Sequence, residues 1–324
     1  FGPGPKASMG SGRSPDTICG SNPNLQSGGK FLSMTDEMKL HRSRALIALA
    51  AVLWSTNGFF AKAPWYDNWP ADSRGVALTF WRSFFAALTV LPFVRRPKFQ
   101  IAMIPMSLCF TVMTYAFLVA MVDGSETTTV WLQYVGPAWV ALAGLIGLGD
   151  RPGRRDAVMI ALSMFGIALI VTFESTIGQG STASRPIGLA LLSGVMFAGV
   201  MLSIRHLRGC DVAWLGLVNY VVSSVCLAPF VIGAVPMPQG FQWFALLGLG
   251  ALQLAIPYML FAWAVRDVPS NEASLIALIE PIAVPLWTFL AWRHLASYRP
   301  PDWWTFLGAA LIAAGLIWRY GRRP

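Results

Sequence analysis

FLVAMVDGSETTTVWLQYVGP, residues Phe117–Pro137, lies without a gap over FAWAVRDVPSNEASLIALIEP, residues Phe261–Pro281, 144 positions further along the chain. Phe117 matches Phe261, Ala120 matches Ala264, Asp123 matches Asp267 and Pro137 matches Pro281. Each copy occupies the same place in a run of apolar segments. Internal repetition of apolar segments is the layout of proteins that build one solute pathway from two copies of a helical unit.

The composition around these copies excludes a water-soluble chain. Hydrophobic residues make up 55% of the sequence and charged residues 12%, against about 25% charged in soluble domains. The lipid bilayer is the expected partner, and the 14 tryptophans suit the interfacial belts of a membrane protein. A net charge of +9 would fit nucleic acid. The basic residues are scattered between apolar segments, however, so they read as topology signals and no nucleic-acid partner is expected. Cys19, Cys109, Cys210 and Cys226 form no CxxC, and His41, His206 and His294 stand alone. Neither a disulfide framework, a metal site nor a cofactor is expected.

Residues 1–38 are rich in Gly, Ser and Pro and lack the apolar core of a signal peptide. A disordered or non-native tail is expected there, with Met34 or Met38 as the natural start. A helix needs about 20 apolar residues to cross the hydrocarbon core. Ten such spans follow, at 44–62, 76–94, 101–122, 127–148, 156–173, 187–206, 213–233, 241–265, 271–292 and 303–320. With the N-terminus in the cytoplasm, the inner segments carry most of the Lys and Arg. The outer ones carry Lys62, Arg74, Arg185, Arg293 and Arg299. Both termini are therefore expected inside, in the plasma (inner) membrane.

Further matches pair the halves. Leu91-Pro92-Phe93-Val94 lies over Ala228-Pro229-Phe230-Val231, and Lys62 lies over Arg205. The expected fold is an all-α membrane protein of ten transmembrane helices, with one five-helix repeat at 39–175 and a second at 185–324. An odd number of helices per copy makes the second copy enter from the opposite side, giving inverted repeats.

Further motifs run along the chain in order: LWSTNGFFAK (Leu53–Lys62), TFWRSFFAAL (Thr79–Leu88), the Pro-centred LQYVGPAWVALAGLIGLGDR and LIALIEPIAVPLWTFLAW, and the glycine-bearing FGIALIV and LGAALIAAGLIW. In these motifs the chain resembles the EamA family of the drug/metabolite transporter superfamily, over about residues 44–320. The resemblance implies export or exchange of small metabolites, amino-acid-like or other small organic solutes, by alternating access, and no enzymatic activity. The family's acidic residue after the fourth and ninth helices is typically Glu; here Asp150 and, roughly, His294 stand there.

Several residues are costly in lipid. Arg82 sits roughly 9 Å deep at 1.5 Å per residue, where a cation must snorkel, pair or face a cavity; facing a cavity, it could clasp a carboxylate. Its counterpart in the second half is Asn219. Glu280 lies near the midplane, where a carboxyl pairs or stays protonated. A cavity pair between Arg82 and Glu280 is the expectation. Glu280 allows proton coupling, and exchange without a proton is equally consistent. The first-half counterpart of Glu280 is Gly136. Pro137, Pro281 and Pro285 free the carbonyls of Gln133, Ala277 and Pro281, and are expected to kink their helices where gating occurs. Trp54, Asn57, Tyr115, Trp131, Gln133, Tyr134, Tyr220, Gln253, Tyr258 and Trp263 complete the candidate lining. Asp123, Glu126, Asp267 and Glu272 fall at helix ends, where a solvated or capping role is expected.

Alternatives to an exporter are a nucleotide-sugar or phosphate-ester carrier, which would need several cavity cations, and a non-transporting receptor or scaffold. An intramembrane aspartyl protease is excluded by placement. Asp67 falls outside and Asp150 falls at the opposite edge, whereas such a pair must meet within the bilayer. No HExxH zinc motif occurs.

Overall fold

The computed structural model describes residues 34–148, 151–178, 184–207, 209–296 and 298–321, and every regular element among them is helical. The helices are α1 (Met34–Ser55), α2 (Asn57–Ala61), α3 (Ala71–Val90), α4 (Met103–Asp123), α5 (Glu126–Gln133), α6 (Gly136–Leu145) and α7 (Arg154–Phe173). After them come α8 (Ser184–His206), α9 (Val212–Val231), α10 (Gln242–Gly250), α11 (Ile256–Ala264), α12 (Ser270–Ala277), α13 (Ile279–Trp292) and α14 (Trp303–Tyr320). Most of the expected tail, including all before Met34, lies outside the described residues. Helix α1 reaches back to Met34, so the last five residues assigned to the tail are helical.

Eight stretches are long and apolar enough to cross a bilayer among the described residues. Two of the ten expected spans are not among them. The fourth is divided, because Pro137 in the first turn of α6 has no N–H to continue the ladder from α5. The tenth, α14, is 18 residues long and closes on Trp-Arg-Tyr. Large apolar side chains face outward along the spans, among them Phe165, Val225, Phe244 and Leu290. That is how a protein solvated by lipid is expected to look.

The packing joins early helices to late ones. Helix α4 runs along α8, α7 along α14, α3 along α9, and α1 along α11. At the α7–α14 crossing the backbones nearly touch. A Cβ on Gly166 would lie 2.8 Å from the Gly308 carbonyl oxygen, and one on Gly308 would lie 2.9 Å from that of Gly166. Small residues let membrane helices approach this closely.

Four breaks interrupt the long helices. The expected first span, 44–62, divides at Thr56. Ser55 and Thr56 turn their hydroxyls onto the carbonyls of Val52 and Leu53, at 2.7 Å each, and compete with the helical ladder. The α5–α6 and α12–α13 breaks are the matched Pro sites. In the eighth span a π-helical turn at Ala251–Ala255 separates α10 from α11, just before Pro257.

Candidate functional site

Each break carries polar side chains inward. Asn57 opens α2 and is 1% exposed; its amide faces a Glu280 carboxylate oxygen at 3.4 Å. Gln253, in the π-helical turn, donates to the Trp54 carbonyl at 3.1 Å. The Trp54 ring meets the Tyr258 ring edge-on at 5.0 Å. Arg82 is 5% exposed and donates to the Thr114 hydroxyl at 3.1 Å. Tyr220, Tyr258 and Glu280 lie near enough to Arg82 to interact electrostatically without touching it.

Arg82 and Glu280 do not form the expected ion pair. Among the described residues no salt bridge joins them, and each has its own partners. Helical depth alone places both in the membrane but does not say which partners each side chain finds: Arg82 meets Thr114, and Glu280 meets Asn57 and Tyr134. The Tyr134 hydroxyl lies 2.8 Å from the second carboxylate oxygen of Glu280 and 2.8 Å from the carbonyl of Ala277. Ala277 is the residue whose carbonyl Pro281 leaves without its helical donor. Tyr134 therefore closes the α12–α13 break from across the molecule.

The sequence candidates divide into two groups. Asn57 meets Glu280, Gln253 meets Trp54 and Trp54 meets Tyr258, while Arg82 lies within electrostatic reach of Tyr258 and Glu280. Asn219 is buried on α9 and holds no hydrogen bond through its Oδ1. Tyr115 packs against the core cluster that includes Trp81 and Phe117, and Gln133 is partly buried at the end of α5. Neither joins the central group. Trp131 and Tyr220 are core residues, and Trp263 is half exposed on the outer face of α11. Pro137 and Pro281 sit in first turns after breaks, while Pro285 lies inside α13. Sequence reading missed Thr114 and the break before Asn57. Ser55-Thr56-Asn57 within an apolar run was the available signal.

Buried polar atoms in native proteins almost always find partners. Here Arg82 Nε, Trp54 Nε1, Asn57 Oδ1 and Gln253 Oε1 are buried and make no hydrogen bond within the protein. Others of this kind, such as Tyr66 Oη and Ser163 Oγ, are scattered elsewhere. The central four combine two donors, one of them cationic, with two acceptors. That set is chemically suited to a solute carrying both a carboxylate and an ammonium group.

The helix-end acids are more structured than expected. Asp123 pairs with Arg185 at 3.5 Å, and Asp267 pairs with Lys39 at 2.8 Å and accepts from Ser43. Arg44 donates to Glu272. Glu126 is 5% exposed rather than solvated, because α2 covers it at Gly58. Ser125 is the side chain that caps α5. Lys62 folds onto the carbonyls of Val122 and Gly124, at 3.1 and 2.6 Å. Asp150 lies outside the described residues, and His294 is exposed at the end of α13.

Known proteins share this chain's sequence and fold. The model of the EamA-like transporter family matches twice, over residues 43–172 and 184–320. An uncharacterized transporter of Archaeoglobus fulgidus is 26% identical over 85% of this chain and 96% of its own length. An uncharacterized transporter of Bacillus subtilis is 23% identical over 66% of this chain and 68% of its own length. A probable transport protein of Saccharomyces cerevisiae is 24% identical over 60% of each chain. One crystal structure superposes with a TM-score of 0.54 over 86% of this chain and 97% of its own; at 16% identity the likeness concerns the fold.

Proposed function

The chain belongs to the EamA-like transporter family and is a multi-pass membrane transporter, and we propose that it carries small amino-acid-like solutes by alternating access. It does so as an exporter or exchanger in the plasma membrane, with both termini in the cytoplasm. One observation carries the choice of solute: Arg82 Nε, Trp54 Nε1, Asn57 Oδ1 and Gln253 Oε1 are buried and unpaired on residues linked to one another through Glu280 and Tyr258. The carboxylate of a solute takes the guanidinium and indole N–H groups, and its ammonium takes the two amide oxygens. Arg82 is the one cation in the buried class among the described residues. A single cation favours one carboxylate over a nucleotide-sugar or phosphate ester, whose charge calls for several.

Two inverted five-helix repeats supply the moving parts. The pairing of α4 with α8 and of α1 with α11 is the exchange that such a two-fold would produce. The matched aspartates support the same reading. Asp123, at the end of α4, holds the start of α8, and Asp267, past the end of α11, holds the start of α1. Each ties one half to the first helix of the other, and under the inverted arrangement they do so at opposite faces. Releasing one while keeping the other opens one side at a time.

The test is uptake into proteoliposomes of labelled amino acids beside analogues lacking the carboxylate or the amine. Accumulation of the zwitterion, lost in Arg82→Ala, is the expected result. A protein that moves none of them is a scaffold. One that moves the decarboxylated analogue equally well does not use Arg82 as its anchor.

A further inference from the structure

We propose that Glu280 is a proton-binding site and holds a proton in the arrangement seen here, donating it to Tyr134. The hydrogens available at this contact are too few for an ionised carboxyl. A tyrosine hydroxyl has one proton to give, and Tyr134 Oη has two acceptors beside it, each at 2.8 Å: the Ala277 carbonyl and Glu280 Oε2. The Ala277 carbonyl has no helical donor, because the nitrogen four residues on belongs to Pro281. With an ionised Glu280, the hydroxyl proton serves the carboxylate and the carbonyl is left bare, or the reverse. With a protonated Glu280, the carboxyl O–H donates to Tyr134 Oη and the Tyr134 O–H donates to the Ala277 carbonyl. Every group in the chain is then satisfied, and such chains strengthen each bond in them.

The remaining neighbours agree. Asn57, from α2, offers its amide to Glu280 Oε1 at 3.4 Å, a long contact that the carbonyl oxygen of a neutral carboxyl can accept. Helix α1 presents the Ser55 hydroxyl to Trp287 on α13, not to Glu280. Arg82 on α3 and Tyr258 on α11 act on Glu280 only across space. No cation within salt-bridge distance holds Glu280 ionised, among the described residues. Loss of the proton to water turns the Tyr134 hydroxyl from the Ala277 carbonyl to the carboxylate and leaves the α12–α13 break without its donor. Tyr134 closes the first half's α5, and Glu280 and Ala277 flank the second half's break. Proton binding therefore favours contact between the two breaks, and proton release favours their separation.

The consequence for coupled transport rests on the transporter reading above; the protonation itself does not. The experiment uses the whole purified chain and the proton alone as probe. Infrared difference spectra are recorded between wild type and Glu280→Gln near neutral pH. The expected result is a carboxylic-acid C=O stretching band present only in wild type. In Tyr134→Phe the band moves to higher wavenumber, because the carboxyl loses its acceptor. A wild-type spectrum showing only carboxylate bands for Glu280 overturns the proposal. A band that Tyr134→Phe leaves in place overturns the hydrogen-bond chain. Failure to transport any solute, with the band present, tells against the transporter reading instead.

Discussion

The two matched Pro breaks of this molecule are built alike and finished differently. In the first half, the residue before Pro137 is Gly136. A Cβ there would lie 2.6 Å from Cδ1 of Phe197, so the α5–α6 break is sealed by an aromatic ring of α8. In the second half, the residue before Pro281 is Glu280, and its carboxyl is joined to Asn57 and Tyr134. One break is closed by packing and the other by exchangeable hydrogen bonds. Packing has no second arrangement of similar energy without a void, whereas a hydrogen bond can be handed to a solute or a proton. On the proposed reading, the second break carries the chemistry and the first is its fixed counterpart.

The largest effect should come from cutting the hydrogen-bonded break. Glu280→Leu leaves the buried Asn57 amide without its acceptor, at about 1–3 kcal/mol, and takes the carboxyl from Tyr134, whose hydroxyl keeps only the Ala277 carbonyl. Melting temperature should fall clearly, while Glu280→Gln, which keeps a donor and an acceptor, should melt near wild type. If Leu and Gln melt alike, the hydrogen bonds do not hold this break.

Overfilling the sealed break comes next. Gly136→Ala pushes a methyl into Phe197 and should cost about 1–3 kcal/mol by overpacking. Adding Phe197→Leu should restore part of that loss in a double-mutant cycle. Additive effects in the cycle would mean that the ring does not seal the turn.

Much of this was legible in the sequence, for reasons that particular residues make plain. Pro137 and Pro281 announced their breaks because a missing N–H acts locally, whatever surrounds it. Arg82 and Glu280 stood out because charge in lipid is costly wherever it falls. Their supposed pairing was not legible. It depended on Tyr134 reaching Glu280 from 146 residues away in the sequence, and an aromatic in an apolar span looks like any other. The break at Thr56 was hidden because Ser and Thr also occur in unbroken membrane helices, with hydroxyls bonded back to the preceding turn as Thr288 is to Val284 in α13. The burial of Glu126 was invisible because it depends on where α2 lies.

The smallest expected effect concerns the outer frame of the comparison, the aspartates matched at 123 and 267. The Lys39 hydrogen bond, together with Lys39's charge and the Ser43 hydroxyl, holds Asp267 below the ordinary carboxylate value. A depressed carboxyl contributes stability above its unfolded value, at about pH 4, and loses it as pH falls through the folded one. Asp267→Asn should lower neutral-pH stability only slightly, by the small contribution of an exposed ion pair, and should remove the matching loss on acidification, with less of both at high salt. A large loss at neutral pH would show that this ion pair, and not the breaks, holds the halves together.

The claim that the solute is held by the Arg82 cluster, beside the hydrogen-bonded break, is tested most directly by initial rates of amino-acid uptake. Arg82→Ala and Gln133→Ala should be compared in proteoliposomes with equal amounts of folded protein. Arg82→Ala leaves the solute carboxylate without its buried partner and should lower uptake at least about tenfold at subsaturating solute. Gln133→Ala, at the sealed break, should stay within about twofold. Equal losses in both, or the larger loss in Gln133→Ala, would contradict the account.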